Sequence, residues 1–427
     1  MKLSIIAGTI TGNRGAEAML TTVIGLFRER YKNPEIHVFS YYPKEDRLLV
    51  RQPNLTIHSS MPRSLVFQLM PGALLFWVCT KLHALKLMKG LVPASVQALA
   101  ESRVLIDLAG VSFIDSRLKF LPFNMLSLLP AMLCGTPVVK FSQAIGPVHH
   151  PLNRFACRMV LRHVHRIYAR GDETEAFLQD APVRADCLAR AADVAFLHQP
   201  AFSLTQENSN RVEQSREQLL AVRSRVKVVI GICPSAVVAA KARKQNWNYI
   251  ALLFRMVEHL VKQGCGVFLF PNATRQSQIP LLRNNDLSVI EDVVRYARTC
   301  KLDCENLIFV NYDINTVGIK SLLQECDGVV VSRFHAMIAA LSLAKPLLVM
   351  GWGHKYREVM RLFQMEDQVF NYRRYALPDI LERLDQLIAS REELAEQINR
   401  CLPVVRESSR TQFNETFQWL EMDEDQR

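Results

Sequence analysis

The sequence predicts an α/β protein made of two tandem halves, each a parallel sheet covered by helices on both faces. Three observations predict it. Short apolar runs closed by glycine or proline alternate along the chain with amphipathic runs of helical period. The alternation halts at one polar stretch, QPAFSLTQENSNRVEQSREQ, which runs into the helical REQLLAVRS, and then restarts. A length of 427 residues also favours two domains over one. Two Rossmann-like domains of this kind take ligands at the carboxyl ends of their strands, and the cleft they face is the expected position of a site. The expected boundaries are an N-terminal domain over 1–200, a linker over 201–222, a C-terminal domain over 223–400 and a tail over 401–427.

The elements follow in order. KLSIIAG is a strand, and GAEAMLTTVIGLFRERY is a helix with Met19, Leu20, Val23 and Leu26 on one face. EIHVFS is the next strand. ESRVLIDLAG is a strand ending at Gly110, followed by helical NMLSLLPAMLCG, which Gly135 stops. Strand TPVVKFSQAIGPV, helix NRFACRMVLRHV, strand RIYARGDET and helix TEAFLQD complete the first alternation, with RAADVAFL as its last piece. The second begins at strand VKVVIGICPS. It runs through helix YIALLFRMVEHLVKQG, strand CGVFLFPNA, helix VIEDVVRYARTC, strand NLIFVNYD and helix NTVGIKSLLQEC. It ends in DGVVVS, AMIAALSLA and PLLVMGWG, and the tail is helical and charged.

Composition narrows the function classes. Apolar residues are 49% and charged residues 22%, an ordinary globular balance. The formal charge of +11 favours anionic partners, but no dense Lys/Arg block interleaved with aromatics points to nucleic acid. Ten cysteines lie scattered without C-x-x-C pairs, and Cys157, Cys187, Cys233 and Cys265 fall inside apolar elements. That pattern implies a reducing compartment, with no metal site and no disulfide framework. The start, MKLSIIAGTITGNRGAEAML, reads as a strand entering a fold, so the expected location is cytoplasmic. Residues 64–90 are an apolar segment interrupted by Pro71-Gly72, with Lys81, His83, Lys86 and Lys89 in the second half. The segment is a core helix with a basic edge, an interfacial helix that would hold the protein peripherally on the inner face of a membrane, or a transmembrane span, for which its apolar part is shorter than the ~20 residues required.

Four stretches carry candidate chemistry. GTITGNRGAEAML is a strand, a glycine turn and a helix, which presents backbone N–H groups to an anion, with Asn13, Arg14 and Glu17 as its functional side chains. Its glycine spacing is neither the dinucleotide fingerprint nor the P-loop. FSQAIGPV places Ser142 and Gln143 at a strand end. In ARGDETEAFL, Arg170 ends a strand, while Asp172 and Thr174 can cap the next helix. In VVVSRFHAMIAALSLAKPLLVMGWGHK, Ser332 can cap a helix starting near Phe334, so Arg333 and His335 sit in its first turn. Cations there oppose the helix dipole, and the placement makes sense if an anion binds at that end. Lys355 would point at the same edge.

The last of these stretches resembles the polysaccharide pyruvyl transferase family, whose pattern there is approximately S-x-R-x-H-x-x-I-x-A-L-x-x-x-x-P, although here one residue fewer separates Ser332 from Arg333. TGNRGAEAML is similar to that family's N-x-G-D-x-A-x-L opening, SQAIGP to its glutamine-glycine-proline turn, ARGDET to its A-R-D-x-x-S element and ADVAFL to its D-x-A-F element. The resemblance implies a fold similar to GT-B glycosyltransferases. It implies transfer of a pyruvyl group from phosphoenolpyruvate to two hydroxyls of a sugar, with phosphate released and no other cofactor. By motif position, Arg333 and His335 would contact phosphoenolpyruvate. Arg170, Lys355 and Ser332 would be further ligands on that side, and Asn13, Glu17 and Gln143 would serve the cleft toward a sugar or lipid-linked saccharide acceptor. Two positions depart from the pattern: Ala16 stands in place of the family's aspartate, and Leu108-Ala109 where glycines are expected. Two alternatives stay open. One is a GT-B-type glycosyltransferase using a nucleotide sugar, although Asp193 and Glu358 are poorly placed to hold a ribose. The other is a homologue that has lost catalysis and binds a glycan.

Overall fold

The computed structural model describes residues 1–50, 52–83, 91–198, 206–275, 284–351, 353–371 and 374–425. Residues 84–90 of the apolar segment, 201–205 of the expected linker and 426–427 of the tail lie outside the described residues. The chain divides into two compact units. The first comprises Met1–Ile10, Ala18–Ala201 and Arg406–Arg427, the second Thr11–Glu17 and Phe202–Val405.

The sheet of the first unit contains β1 (Lys2–Ile6), β2 (Glu35–Ser40), β3 (Leu55–Ser59), β4 (Leu105–Asp107), β5 (Val111–Ser112), β6 (Val138–Ile145), β7 (Arg166–Ala169) and β8 (Leu188–Arg190). Its order is β3-β2-β1-β4-β6-β7-β8, with β5 beside β6, and every pairing is parallel. Strand β6 is buried at all of its positions, as expected of a central parallel strand. It carries a buried ion pair, Lys140 with Asp107 of β4. The order reverses between β1 and β4, which makes the carboxyl ends of these two strands the switch point.

The second unit repeats the plan with β9 (Val229–Cys233), β10 (Gly266–Leu269), β11 (Leu307–Phe309), β12 (Gly328–Val331), β13 (Leu347–Met350) and β14 (Val369–Phe370). Its order is β11-β10-β9-β12-β13-β14, again all parallel. The switch point falls between β9 and β12, where Val331 pairs with Cys233. The run Ser332-Arg333-Phe334-His335 therefore leaves the sheet at the place where open α/β sheets bind ligands.

The two tandem parallel sheets match the expected fold class, but three segments read differently in the structure. Gln206–Arg223, mostly within the expected linker, is an 18-residue helix that starts ten residues before the helical run REQLLAVRS. Its apolar stripe is thin but real: Val212, Leu219 and Val222 are buried. The expected tail is the end of one 35-residue helix, Arg391–Asp425, whose residues from Arg406 onward belong to the first unit. Phe413 and Leu420 are buried there, and Phe417 lies edge-on to Phe27 at 4.9 Å. The helical stretch Pro62–Lys81 buries Leu65, Leu69, Gly72 and Ala73 but leaves Phe67, Leu74 and Trp77 exposed. Its inner side joins the core of the first unit, as a core helix would, while its outer side is exposed along an apolar stripe as well as at its basic end.

Candidate functional sites at two switch points

In the second unit, Arg333 is the N-cap of the helix Phe334–Ser342, with extended backbone and no side-chain cap. Ser332 does not cap that helix as expected. It is buried, its hydroxyl accepts from Tyr249 Oη at 2.8 Å, and its carbonyl accepts from Tyr356 Oη at 3.4 Å. Tyr249 Oη also accepts from the Ser235 N–H at 3.2 Å, so one phenol ties the ends of β9 and β12 together.

Arg333 is not open on every edge. Its Nε lies 3.1 and 3.0 Å from the two oxygens of Asp286, and its Nη2 also donates to Asp286. Asp286 is fully buried and accepts from the N–H groups of Ala236 at 2.8 Å, Asn272 at 3.1 Å and Ala273 at 2.9 Å. Burial alone would lower the Arg333 pKa, but the charge and hydrogen bonds of Asp286 raise it above its ordinary value, so the guanidinium stays charged. The expected anion ligand is thus also held within the fold. The structure gives its Nε–Nη2 edge to Asp286.

His335 follows in the first turn, and its ring lies directly over Gly15, where an added Cβ would overlap the imidazole. Glycine at 15 is therefore required by close approach. Gly12, in the same turn, has φ +83°, a backbone region that favours glycine. Lys355, in the helix His354–Arg361, holds its Nζ 5.1 Å from the Phe334 ring and 5.2 Å from the Tyr356 ring.

The first motif joins this unit. Asn13 is exposed, and its Oδ1 accepts from the Gly15 N–H at 3.1 Å, a local cap for the helix Arg14–Arg30. Arg14 is buried between two carboxylates. It donates to Glu17, and its Nη2 reaches Asp313 at 2.7 Å and Thr274 Oγ1 at 2.9 Å. Glu17 is buried too, with its other oxygen accepting from the Thr316 N–H at 3.1 Å. Burial raises its carboxyl pKa above the ordinary value despite Arg14, and Asp313 adds like-charge repulsion. Glu17 thus braces the start of one helix against another instead of facing a ligand. A backbone chain continues from here: the Arg14 N–H donates to the Asn272 carbonyl at 3.1 Å, and Asn272 donates to Asp286.

The remaining expected residues lie in the first unit. Arg170 is buried and paired with Asp193 at 2.9 Å. Gln143 is fully buried, accepting from Ser112 Oγ at 2.6 Å and donating to the Phe141 carbonyl at 3.1 Å. Both are internal braces of β5, β6 and β7. Cys157, Cys187, Cys233 and Cys265 are buried, and burial raises each thiol pKa, that of Cys157 to about 12. Among the described residues, no group of three His, Cys, Asp or Glu side chains is placed to hold a metal ion.

The switch point of the first unit holds a cavity of about 270 Å³, near the lower end of the ~300–1,000 Å³ typical of ligand pockets. Its floor is Ala7, Gly8 and Thr9 after β1 and Ala109 after β4, and its walls include Tyr41, Phe113, Phe120, Phe123, Arg117 and Asn124. Ala7 at φ +63° and Phe113 at φ +48° are both held in the left-handed region, a strain that concentrates at functional sites. The sequence reading did not find this cavity. Its aromatics come from three separate segments that only the fold brings together.

Two parallel-sheet α/β domains with Rossmann strand order define a GT-B-like protein. Over 99% of this chain and 100% of its own, the Anabaena protein HepE in complex with UDP-glucose aligns with a TM-score of 0.58 at 13% identity. UDP-GlcNAc 2-epimerase from Neisseria meningitidis, bound to UDP-GlcNAc, aligns over 98% of this chain and 100% of its own with a TM-score of 0.58 at 12% identity. At such identities the likeness concerns the fold. The family is fixed by sequence: residues 13–354 match the polysaccharide pyruvyl transferases, and the chain belongs to that family. A curated relative, the amylovoran biosynthesis protein AmsJ of Erwinia amylovora, is 19% identical over 411 residues, covering 94% of this chain and 95% of AmsJ.

Proposed function

We propose that this protein acts in polysaccharide biosynthesis by transferring a pyruvyl group from phosphoenolpyruvate to a sugar of a polysaccharide or its precursor. The observation that carries the reading is Arg333, locked by Asp286 at the amino end of the helix Phe334–Ser342, with His335 beside it at a sheet switch point. Phosphoenolpyruvate offers a phosphate and a carboxylate. The helix N–H groups and the Nη1 edge of Arg333 supply donors for one of them, and Lys355 supplies a cation for the other.

The chemistry balances as follows. The methylene carbon of phosphoenolpyruvate takes a proton, which leaves positive charge at C2. One sugar hydroxyl adds there and loses its proton. A second hydroxyl then displaces phosphate, closing the ketal. His335 is positioned to donate the first proton or to stabilise the leaving phosphate. Glu17 has both oxygens bonded inside the fold, so it takes no part in this scheme, and Ala16 offers no carboxylate. The aromatic cavity of the first unit, with Asn124, Ser60 and Thr9 among its polar groups, is suited to the apolar faces and hydroxyls of a sugar acceptor.

Incubation with phosphoenolpyruvate and a panel of lipid-linked saccharides should yield a product heavier by one pyruvate ketal in mass spectrometry. His335→Ala and Arg333→Ala should abolish it. Thermal stabilisation by UDP-sugars and not by phosphoenolpyruvate would reverse the reading in favour of a glycosyltransferase.

A further inference from the structure

The first unit presents a face that is both apolar and strongly basic. The helical stretch Pro62–Lys81 is committed to protein on one side, where Leu65, Leu69 and Ala73 are at most 2% exposed. On the other side Phe67 is 78% exposed, Leu74 49%, Trp77 42% and Val78 36%. Phe67, Leu74 and Val78 follow the spacing of one helical stripe. By length and composition this stretch is apolar enough to cross a bilayer, but its buried side fixes it along the surface of the unit.

A second apolar stripe lies on the helix Pro151–Met159, where Leu152 is 61% exposed, Phe155 60% and Met159 47%. The helix Leu121–Leu126 packs against both this helix and the segment Leu65–Leu69, so the two stripes flank a common neighbour. Phe120, just before it, is exposed as well.

The charges around these stripes are mostly positive; Asp115, held by Asn153 and the N–H groups of His149 and His150, is an acid beside the helix Pro151–Met159. No Asp or Glu occurs between Asp46 and Glu101, or between Asp115 and Asp172. Exposed cations do occur there: Arg63, Lys81, Lys119, Arg158 and Arg162. Arg158 and Arg162 line one depression together with Arg184, which Asp186 pairs at 3.1 Å. A second copy of the chain is a poor occupant, because a twofold contact would set these cations against themselves with few acids to offset them. An apolar stripe rimmed by cations has the composition of a surface that enters the headgroup layer of anionic lipid.

We infer that this face docks on an anionic bilayer, with Pro62–Lys81 lying in the plane of the interface and the helix Pro151–Met159 as a second contact. The inference rests on surface composition and is independent of the reaction proposed above.

Sedimentation with vesicles tests it without substrate. The protein should pellet with phosphatidylcholine vesicles containing phosphatidylglycerol, bind far less to phosphatidylcholine alone, and release as salt is raised. Phe67→Glu with Leu74→Glu should weaken binding by about tenfold or more. Arg158→Glu with Arg162→Glu, at the end of the other helix and in the turn after it, should weaken binding to the anionic vesicles alone. Both variants should unfold at the wild-type temperature, since all four positions are exposed. The inference is overturned if wild type fails to pellet with anionic vesicles, if neither variant changes binding, or if light scattering shows a wild-type dimer that Phe67→Glu dissociates.

Discussion

Asp286, itself fully buried, accepts from three backbone N–H groups and from Arg333, which is 13% exposed. Removing one member of such a buried pair strands the other charge, at a cost of about 3–5 kcal/mol. Asp286→Ala should therefore lower the free energy of unfolding by that amount in denaturant titration. Asp286→Leu combined with Arg333→Met should cost clearly less than the sum of the single changes. Gly15 gives a second test. Gly15→Ala must push the imidazole of His335 aside, so turnover should fall by about tenfold or more, while adding Gly15→Ala to His335→Ala should change nothing further. Additive losses would mean that Gly15 acts through something other than His335. Arg333 and His335 were legible because a valine strand, a turn and a helix follow one another within a few residues. Asp286 was not. It stands 47 residues earlier, at the start of another helix, where an aspartate reads as an ordinary cap.

The helix Gln206–Arg223 shows what decides an element when composition misleads. Only its end, from Arg216, reads as helical, because few of the side chains before it are apolar; there Leu219 is 1% exposed and its neighbour Leu220 43%. Leu219→Ala should destabilise by about 2–5 kcal/mol, and Leu220→Ala should stay within about 0.5 kcal/mol of wild type. Equal effects would return this segment to the status of a tether. The strands were easier to read, because parallel strands buried on both faces leave unbroken apolar runs such as GVVV and LLVM. The short β3 escaped because LTIHS mixes polar side chains into an otherwise apolar strand.

Over the whole molecule, stability should depend on histidine titration in the first sheet. His58 on β3 stacks on Phe39 and meets His37 Nδ1 at 3.2 Å. Burial first, then the charges of His37 and Arg47, push its pKa from 6.5 down to about 4. His37 is also lowered, by burial, against the opposing pull of Glu35. Between pH 6.5 and about 4 the unfolded chain takes up a proton that folded His58 refuses, so stability is full above this window and falls as the solution is acidified through it. His58→Gln should flatten that part of the curve of melting temperature against pH, and an unchanged slope would assign the acid limb to other groups. The alternation of strands and helices made the two-domain plan legible, but not the return of the chain to its first unit. The residues that anchor that return, Phe413 and Leu420, are too sparse in a charged helix to announce it.

That return has a consequence in time. A chain made from its amino end has nearly all of the first sheet available early, while the helix that covers part of it comes last. Until residues 406–425 emerge, Phe27 lacks Phe417, Phe141 lacks Phe413, and the Ser142 N–H lacks its partner Gln412, which accepts it at 2.8 Å. The unit that begins first is thus the one that finishes last, and the second unit can fold while the first still waits. A chain stopped after Val405 should keep one cooperative melting transition and lose the other. Survival of both transitions would show that the first unit closes without its late helix.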